Sequence, residues 1–311
     1  MGRRASEAVR IGLDVGGTHL RVGLVRGATL VWQRRRKVDL ARRLDAGDPQ
    51  AARVTVLDAL GEGILEALAV AGEVEGIGVG FPGFLDPSTG VLHESPSLPG
   101  LRNVNVSGVL SERLARDVLV ENDALCGAAG ERLLHPARPP SLVYVGLGTG
   151  VGGGAILEGR PLRGAHGVAM EIGHLVVEPG GRPCACGQQG CPETYASATG
   201  VRRGYEEATG EVLESEEIAA RARRGDAAAT AAFDRVAQTL ARALAHVTTT
   251  LDVEDVCIGG GLSGAWDLCV KEFRRRFESD LLPFLRGRVH VRLSESGDRA
   301  GMIGAAWLAG A

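Results

Sequence analysis

Two stretches of the chain, VRIGLDVGGTHLRVGLVRG and SLVYVGLGTGVGGGAILEG, share one layout, and this duplication restricts the fold more than any other feature. Each is an apolar run, a glycine-rich turn and a second apolar run. The turns are Asp14-Val15-Gly16-Gly17-Thr18 and Gly146-Leu147-Gly148-Thr149-Gly150. Both stretches read as β-hairpins whose turn sets Gly beside Thr. Each opens a block in which helices then alternate with short apolar strands. In the first block these are VLDALGEGILEALAV, GIGVGF, VSGVLSERLAR and VLV. In the second, a long helix around Ala229 to Thr250 leads to the strand Val256-Cys257-Ile258 and the turn Gly259-Gly260-Gly261. Alternation of this kind predicts α/β layering, and the repeated opening predicts two similar lobes with a cleft between them. Residues 1–120 are expected to form a small N-terminal lobe, completed by the final helical segment 300–311. Residues 121–299 are expected to form a large lobe. Aromatic residues are only 4% of the chain against 44% apolar, so the core must be built from Val, Leu, Ile and Ala.

The net charge of −3 is small and spread along the chain, unlike a nucleic-acid footprint. The one basic run, Arg34-Arg35-Arg36-Lys37, continues an apolar stretch and reads as an exposed strand end. The N-terminus passes directly into a strand pattern without a signal peptide, and no apolar stretch is long enough to span a bilayer. A cytoplasmic chain is therefore expected, in which six cysteines argue for metal or free thiols rather than disulfides.

Glycine lets backbone N–H groups approach a phosphate, and consecutive N–H groups make an anion-binding concavity. A lone Gly-Gly-Thr reads as an ordinary tight hairpin. A second such turn at Gly148-Thr149-Gly150 favours phosphate, with Asp14 at a strand end placed to hold Mg²⁺ directly or through water. A third turn, Gly260-Gly261 after a buried strand, suits an adenosine packed on bare backbone. Together the three predict a nucleotide cleft.

Glu121-Asn122-Asp123 follows the strand VLV and precedes ALCGAAGERLL. Asn or Asp here makes a good N-cap. An Asn-Asp pair at the carboxyl end of a strand can equally grip a polyol, one side chain donating and accepting while the other takes a hydroxyl proton. The residues alone leave both readings open.

The stretch EIGHLVVEPGGRPCACGQQGCPE carries the strongest chemical signal. Cys184-x-Cys186-x4-Cys191 places three thiols within eight residues, and His174 lies ten residues before the first. Three buried small hydrophobes are the alternative, but Pro and Gly surround these cysteines and preclude a regular buried element. A Cys3His zinc site fits, and a structural zinc supplies on the order of 10 kcal/mol of apparent binding energy to staple such a loop. Glu171 and Glu193 flank the set. Each alone reads as a surface residue, but a metal that folds the segment back brings both near His174, as a sugar pocket requires.

In this order, DVGGT at Asp14, GFPGFLD at Gly80, VEND at Val120, GLGTGVGGG at Gly146, EIGH at Glu171, CACGQQGCPE at Cys184 and IGGGLS at Ile258 resemble the ROK group of repressors, open reading frames and kinases. Within that group the resemblance is to bacterial glucokinases. It implies a two-lobed, actin-like (ribonuclease-H-type) sugar kinase fold with sugar and ATP in the interlobe cleft. It implies Asp123 as catalytic base, with Asn122, Glu171, His174 and Glu193 on the sugar hydroxyls and the Gly83 loop closing over them. His174 then serves both zinc and sugar. The turns from Asp14 through Gly16 and Gly17 to Thr18 and from Gly148 to Gly150 match phosphate segments, and Gly260-Gly261 an adenosine segment. Departures are His19, Phe84-Leu85 before Asp86, and SPSLPGLRNVNV in place of the usual Asn- and Trp-containing stretch.

The implied activity is ATP-dependent phosphorylation of a hexose, foremost glucose at its 6-hydroxyl, with Mg accompanying ATP. A kinase for N-acetylmannosamine or N-acetylglucosamine would share every motif. A sugar-responsive repressor carries a helix-turn-helix before the first phosphate turn, where about ten residues are too few. No nucleic-acid or membrane partner is expected, and family members are often homodimers or homotetramers.

Overall fold

The computed structural model describes residues 8–16, 19–38, 49–86, 88–95, 98 and 101–310. The chain divides into two units. One comprises Met1–Pro140, Gly154–Ala169 and Ser296–Ala311; the other comprises Ser141–Gly153 and Met170–Glu295.

The first unit is built on a five-stranded sheet in the order β3-β2-β1-β4-β8. Its strands are β1 (Val9–Val15), β2 (His19–Arg26), β3 (Thr29–Lys37), β4 (Ile77–Phe81) and β8 (Val118–Asn122). β1 and β2 form the expected antiparallel hairpin, while β1, β4 and β8 run parallel. Strand alternation separates the two faces. Ile11, Leu13, Val22, Val79 and Phe81 join a core with Leu60 and Ile64 of α1 (Pro49–Ala71). The opposite face carries Gly12, paired with Gly23 on one side and Gly78 on the other. A Cβ at Gly12 or Gly78 would stand 1.9 Å from the carbonyl oxygen of Met302 or Ala305. That bare row is therefore the seat of α9 (Arg299–Leu308). α3 (Asp123–Leu134) packs equally closely on α9, since Cβ atoms at Gly130 and Gly304 would meet the backbone oxygens of Ala300 and Cys126. Short strands β5 (Phe84–Leu85), β6 (Val91–Glu94) and β7 (Arg102–Asn105) form an antiparallel sheet, and α2 (Val106–Leu114) follows β7.

The second sheet has the order β11-β10-β9-β12-β13. Its strands are β9 (Leu142–Leu147), β10 (Val151–Leu157), β11 (Arg160–Pro161), β12 (Asp255–Gly259) and β13 (His290–Leu293). β12 runs parallel to both β9 and β13. The second unit's helices are α4 (Glu193–Ala196), α5 (Ala198–Thr209), α6 (Ser215–Arg223), α7 (Ala227–Leu251) and α8 (Trp266–Asp280). α7 buries Ala229, Phe233, Val236, Leu240 and Leu244, the three-to-four-residue spacing of one helical stripe. Asp226 caps it through Ala229 N at 2.9 Å.

The C-terminal segment belongs to the first unit, but the division falls at Pro140/Ser141 rather than near Val120. The glycine contacts explain this: α3 is packed against α9 and cannot belong to another body. Residues 154–169 also return to the first unit. The basic run lies on β3, where Arg34 and Arg36 pair with Glu66 and Glu62 of α1. No helix among the described residues is long and apolar enough to cross a membrane.

Candidate active site and metal centre

In the first unit the site residues gather at the carboxyl ends of β1, β4 and β8, where ligands of open parallel sheets bind. Asp14 lies opposite Arg21 in the hairpin register, and its Oδ2 accepts from Arg21 Nη1 at 2.9 Å. Arg21 Nε lies 2.8 Å from Asp298 Oδ2. Burial pushes the Asp14 carboxyl up, and the Arg21 guanidinium opposes the rise. Gly301 faces Asp14 so closely that a Cβ would lie 3.0 Å from its carboxyl carbon. Gly16 closes the hairpin by donating to His19 O at 2.9 Å. Gly17 and Thr18 lie outside the described residues, as do Pro96, Ser97, Pro99 and Gly100 of the SPSLPGLRNVNV segment.

Of the two readings of Asn122-Asp123, the capping one is observed directly. Asn122 is the N-cap of α3, its Oδ1 accepting from Leu125 N at 3.0 Å, while Nδ2 donates to Gly83 O at 3.4 Å. Gly83 has φ +133°, and a Cβ there would lie 2.5 Å from Glu94 O. Asp123, the first helical residue, takes Ala124 N on Oδ1 at 2.8 Å and is in no ion pair among the described residues. Burial, reinforced by the nearby Asp14 charge, raises its carboxyl from 3.8 to about 6. The helix N-terminus favours the anion, but desolvation prevails. A half-buried carboxylate raised to about 6 can accept a proton.

In the second unit two glycine turns follow neighbouring parallel strands in register, Gly146 of β9 pairing with Gly259 of β12. Gly148 N donates to Gly150 O at 2.9 Å, and α5 reinforces the turn through Ala198 N to Gly148 O at 2.9 Å. Thr149 is exposed. Gly260 has φ +85° and approaches Leu147 O so closely that a Cβ would lie at 2.3 Å, while Gly261 faces open space. Glu193, at the start of α4, accepts from Val151 N at 2.9 Å, and a Cβ at Gly150 would lie 2.4 Å from its Oε2. One sequence-predicted sugar residue thus abuts one sequence-predicted phosphate turn.

Glu171 caps a single 3-10 turn, Ile172–His174, and its carbonyl accepts from His174 N at 3.0 Å. That turn presents His174 to the cysteines. His174 Nδ1 is 3.6 Å from Cys184 Sγ, Cys186 Sγ is 3.7 Å from Cys191 Sγ, and the four ligand atoms all lie within 4.8 Å of one another. The loop makes this possible by folding into a narrow hairpin, with Pro183 bridged to Gln189 and Cys184 N donating to Gln188 O at 2.9 Å. Gly190, at φ +80°, passes so close to Glu178 O that a Cβ would stand 1.8 Å away. Behind the loop, Arg182 and Arg235 both lie over the Tyr195 ring, and Tyr195 OH accepts from Arg182 N at 2.8 Å. Four such ligand atoms in one small volume can hold a metal ion.

Several site neighbours escaped the sequence reading. Arg21 could have been found by counting across the hairpin from Asp14. Glu121 was visible inside VEND, but its partner Arg163, 2.5 Å away, had no local signal.

The ROK family profile matches residues 10–311. The chain is 33% identical to a glucokinase of Halalkalibacterium halodurans over 96% of this chain and 94% of that protein. It is 32% identical to an N-acetyl-D-glucosamine kinase of Salmonella heidelberg, over 96% and 98% respectively. Among solved structures, a ROK family glucokinase from Streptomyces griseus in complex with glucose and AMPPNP superposes with a TM-score of 0.81 at 29% identity, covering 97% of this chain and 99% of that one. With a family match over nearly its whole length and an α/β architecture shared with these actin-like kinases, the chain belongs to the ROK family.

Proposed function

We propose that the protein is an ATP-dependent hexose kinase that phosphorylates glucose at its 6-hydroxyl. The observation that carries this reading is Asp123, a carboxylate raised to about 6 at the end of β8, beside an Asn fixed by its own capping bond. In the reaction the 6-hydroxyl oxygen attacks the γ-phosphorus of ATP. Its proton passes to an Asp123 oxygen, and the bond to ADP breaks. Asn122, Glu171, His174 and Glu193 hold the sugar hydroxyls under the Gly83 loop. The turns at Asp14–Thr18 and Gly148–Gly150 take phosphate oxygens on backbone N–H groups, and Gly260-Gly261 takes the adenosine. Phosphoryl transfer asks a protein chiefly for positioning and charge stabilisation, which glycine turns and one base supply.

Magnesium would be held at Asp14. A single carboxylate already paired with Arg21 suits an ion that arrives with the nucleotide's own oxygens rather than a resident one. Bound there, the ion neutralises charge on the phosphates.

His174, Cys184, Cys186 and Cys191 are proposed as zinc ligands with a structural task. Tetrahedral zinc with usual bond lengths sets S···S edges at about 3.8 Å and S···N edges at about 3.6 Å. The distances of 3.7 and 3.6 Å fit. Four protein ligands close the coordination shell, so this metal would be a clamp that fixes Glu171, His174 and Glu193. His174 would use Nδ1 for the metal and turn its other nitrogen to the sugar.

A second reading, N-acetylhexosamine kinase, is favoured by the similarity to the Salmonella enzyme. Coupled ADP release measured over glucose, mannose, fructose, allose, N-acetylglucosamine and N-acetylmannosamine decides between them. Glucose should give the highest kcat/KM. A preference for either N-acetylhexosamine transfers the assignment to the second reading, and release with no sugar above background rejects both.

A further inference from the structure

Glu121 is 6% exposed, at the end of β8 immediately before the proposed sugar-binding Asn122 and base Asp123. Its two carboxylate oxygens are divided. Oε1 accepts from the backbone N–H of Asn122 at 3.0 Å, and Oε2 takes Arg163 Nε at 2.5 Å. Arg163 sits on a stiff turn: Leu162 N donates to Ala155 O at 2.9 Å, Ala169 N to Arg163 O at 3.4 Å, and Gly164 follows at φ +74°.

An ion pair with one partner buried and the other, Arg163, half-buried adds little net stability over well-packed apolar residues of the same volume. What this pair does that apolar residues could not is grip one backbone N–H at the point where strand becomes helix. Asn122 is then fixed from three sides: its N–H by Glu121, its Oδ1 by Leu125 N and its Nδ2 by Gly83 O. Asp123 is the next residue along that fixed backbone. Nor does the pair tune Asp123 by charge, since burial and Asp14 account for the rise of its carboxyl and Glu121 is not among the causes.

We propose that the Glu121–Arg163 ion pair is a positioning device for the Asn122–Asp123 turn, holding the backbone from which both side chains meet the sugar. This rests on the site reading given under Proposed function. Among the described residues Arg163 makes no hydrogen bond or ion pair to Asn122 or Asp123; it acts through Glu121. Without the guanidinium, the Glu121 carboxylate loses its counter-charge and is drawn toward water, releasing the Asn122 N–H. Displacements of about an ångström at a reacting group can cost up to about a hundredfold in rate.

The test is steady-state kinetics of Arg163→Gln, Arg163→Lys and Glu121→Gln, with KM for sugar and for ATP measured separately and melting temperatures alongside. Arg163→Gln should raise the glucose KM about tenfold or more and lower kcat, with the ATP KM within about twofold of wild type. Arg163→Lys, which restores the charge, should recover most of the loss. If Arg163→Gln does not fold, Glu121→Gln supplies the same comparison. Wild-type kinetics in a folded Arg163→Gln overturns the proposal. So does a loss that falls equally on both substrates in step with a lowered melting temperature, the mark of a merely structural pair. Asp123→Asn measured in the same series keeps the two claims apart. If that variant is inactive and Arg163→Gln is normal, only the positioning proposal fails; if it is fully active, the reading of the site itself fails.

Discussion

Asp123→Asn is expected to lower kcat by at least about a hundredfold, the usual scale for a positioned general base, while glucose binds with nearly wild-type affinity. The amide keeps the shape and the hydrogen bond from Ala124 N but cannot accept the hydroxyl proton. The same group fixes a pH dependence. Asp123 must be ionised to act, and its carboxyl is raised from 3.8 to about 6 by burial and by Asp14. The wild-type kcat/KM should therefore fall below a pH of about 6, and the residual rate of the Asn variant should not follow that limb. The stability sign runs the opposite way from an ordinary paired carboxylate. Between 3.8 and about 6 the folded chain keeps a proton that the unfolded chain has released. Its contribution to stability therefore declines as pH rises through that window. Above it the charged Asp123 is a cost, so the Asn variant should melt no lower than wild type at neutral pH. Near wild-type turnover by the Asn variant would remove Asp123 from its role. An inactive variant that melts much lower would leave damage to the fold as the simpler explanation.

Loss of the proposed zinc should have the second large effect, and it should fall on the sugar rather than on the nucleotide. The loop from Val177 to Cys191 folds into a narrow hairpin of turns, with Gly187 and Gly190 at positive φ and no helix or regular strand to order it. A zinc ion contributing on the order of 10 kcal/mol of apparent binding energy would exceed every other interaction in that segment. Chelation, or Cys184→Ser, should raise the glucose KM by more than about tenfold and open the loop to proteolysis, because Glu193 and His174 lose their common anchor. Elemental analysis of protein purified without a metal-binding tag should give stoichiometric zinc. Substoichiometric zinc with full activity and an intact loop would show that the pocket does not depend on a metal.

The features legible in the sequence are those whose partners lie close along it. The proposed zinc ligands from His174 to Cys191 span one loop, so residue type and spacing are enough to group them. The hairpin around Asp14 and the stripe of α7 follow from periods of two and three to four residues. Asn122 as a cap and Asp123 as a base were both visible as possibilities; the capping bond to Leu125 N is present, and the role of Asp123 is the proposal tested above. What stayed hidden depends on contacts far apart in the chain. Arg163 reaches Glu121 across 42 positions, and α9 returns to Gly12 and Gly78 from the other end of the sequence. The division at Pro140 rather than Val120 has the same origin. It follows from two helices meeting at Gly130 and Gly304, where the signal is a missing side chain rather than a present one.

The position of the transferred phosphoryl group tests the assignment most directly. Phosphorus NMR of the protein with glucose, ATP and magnesium should show a new phosphomonoester resonance split into a triplet by the two protons on C6, growing as ADP forms. A doublet would place the phosphate on a carbon bearing one proton and contradict transfer to the 6-hydroxyl. No phosphomonoester above the sugar-free control would contradict glucose phosphorylation altogether.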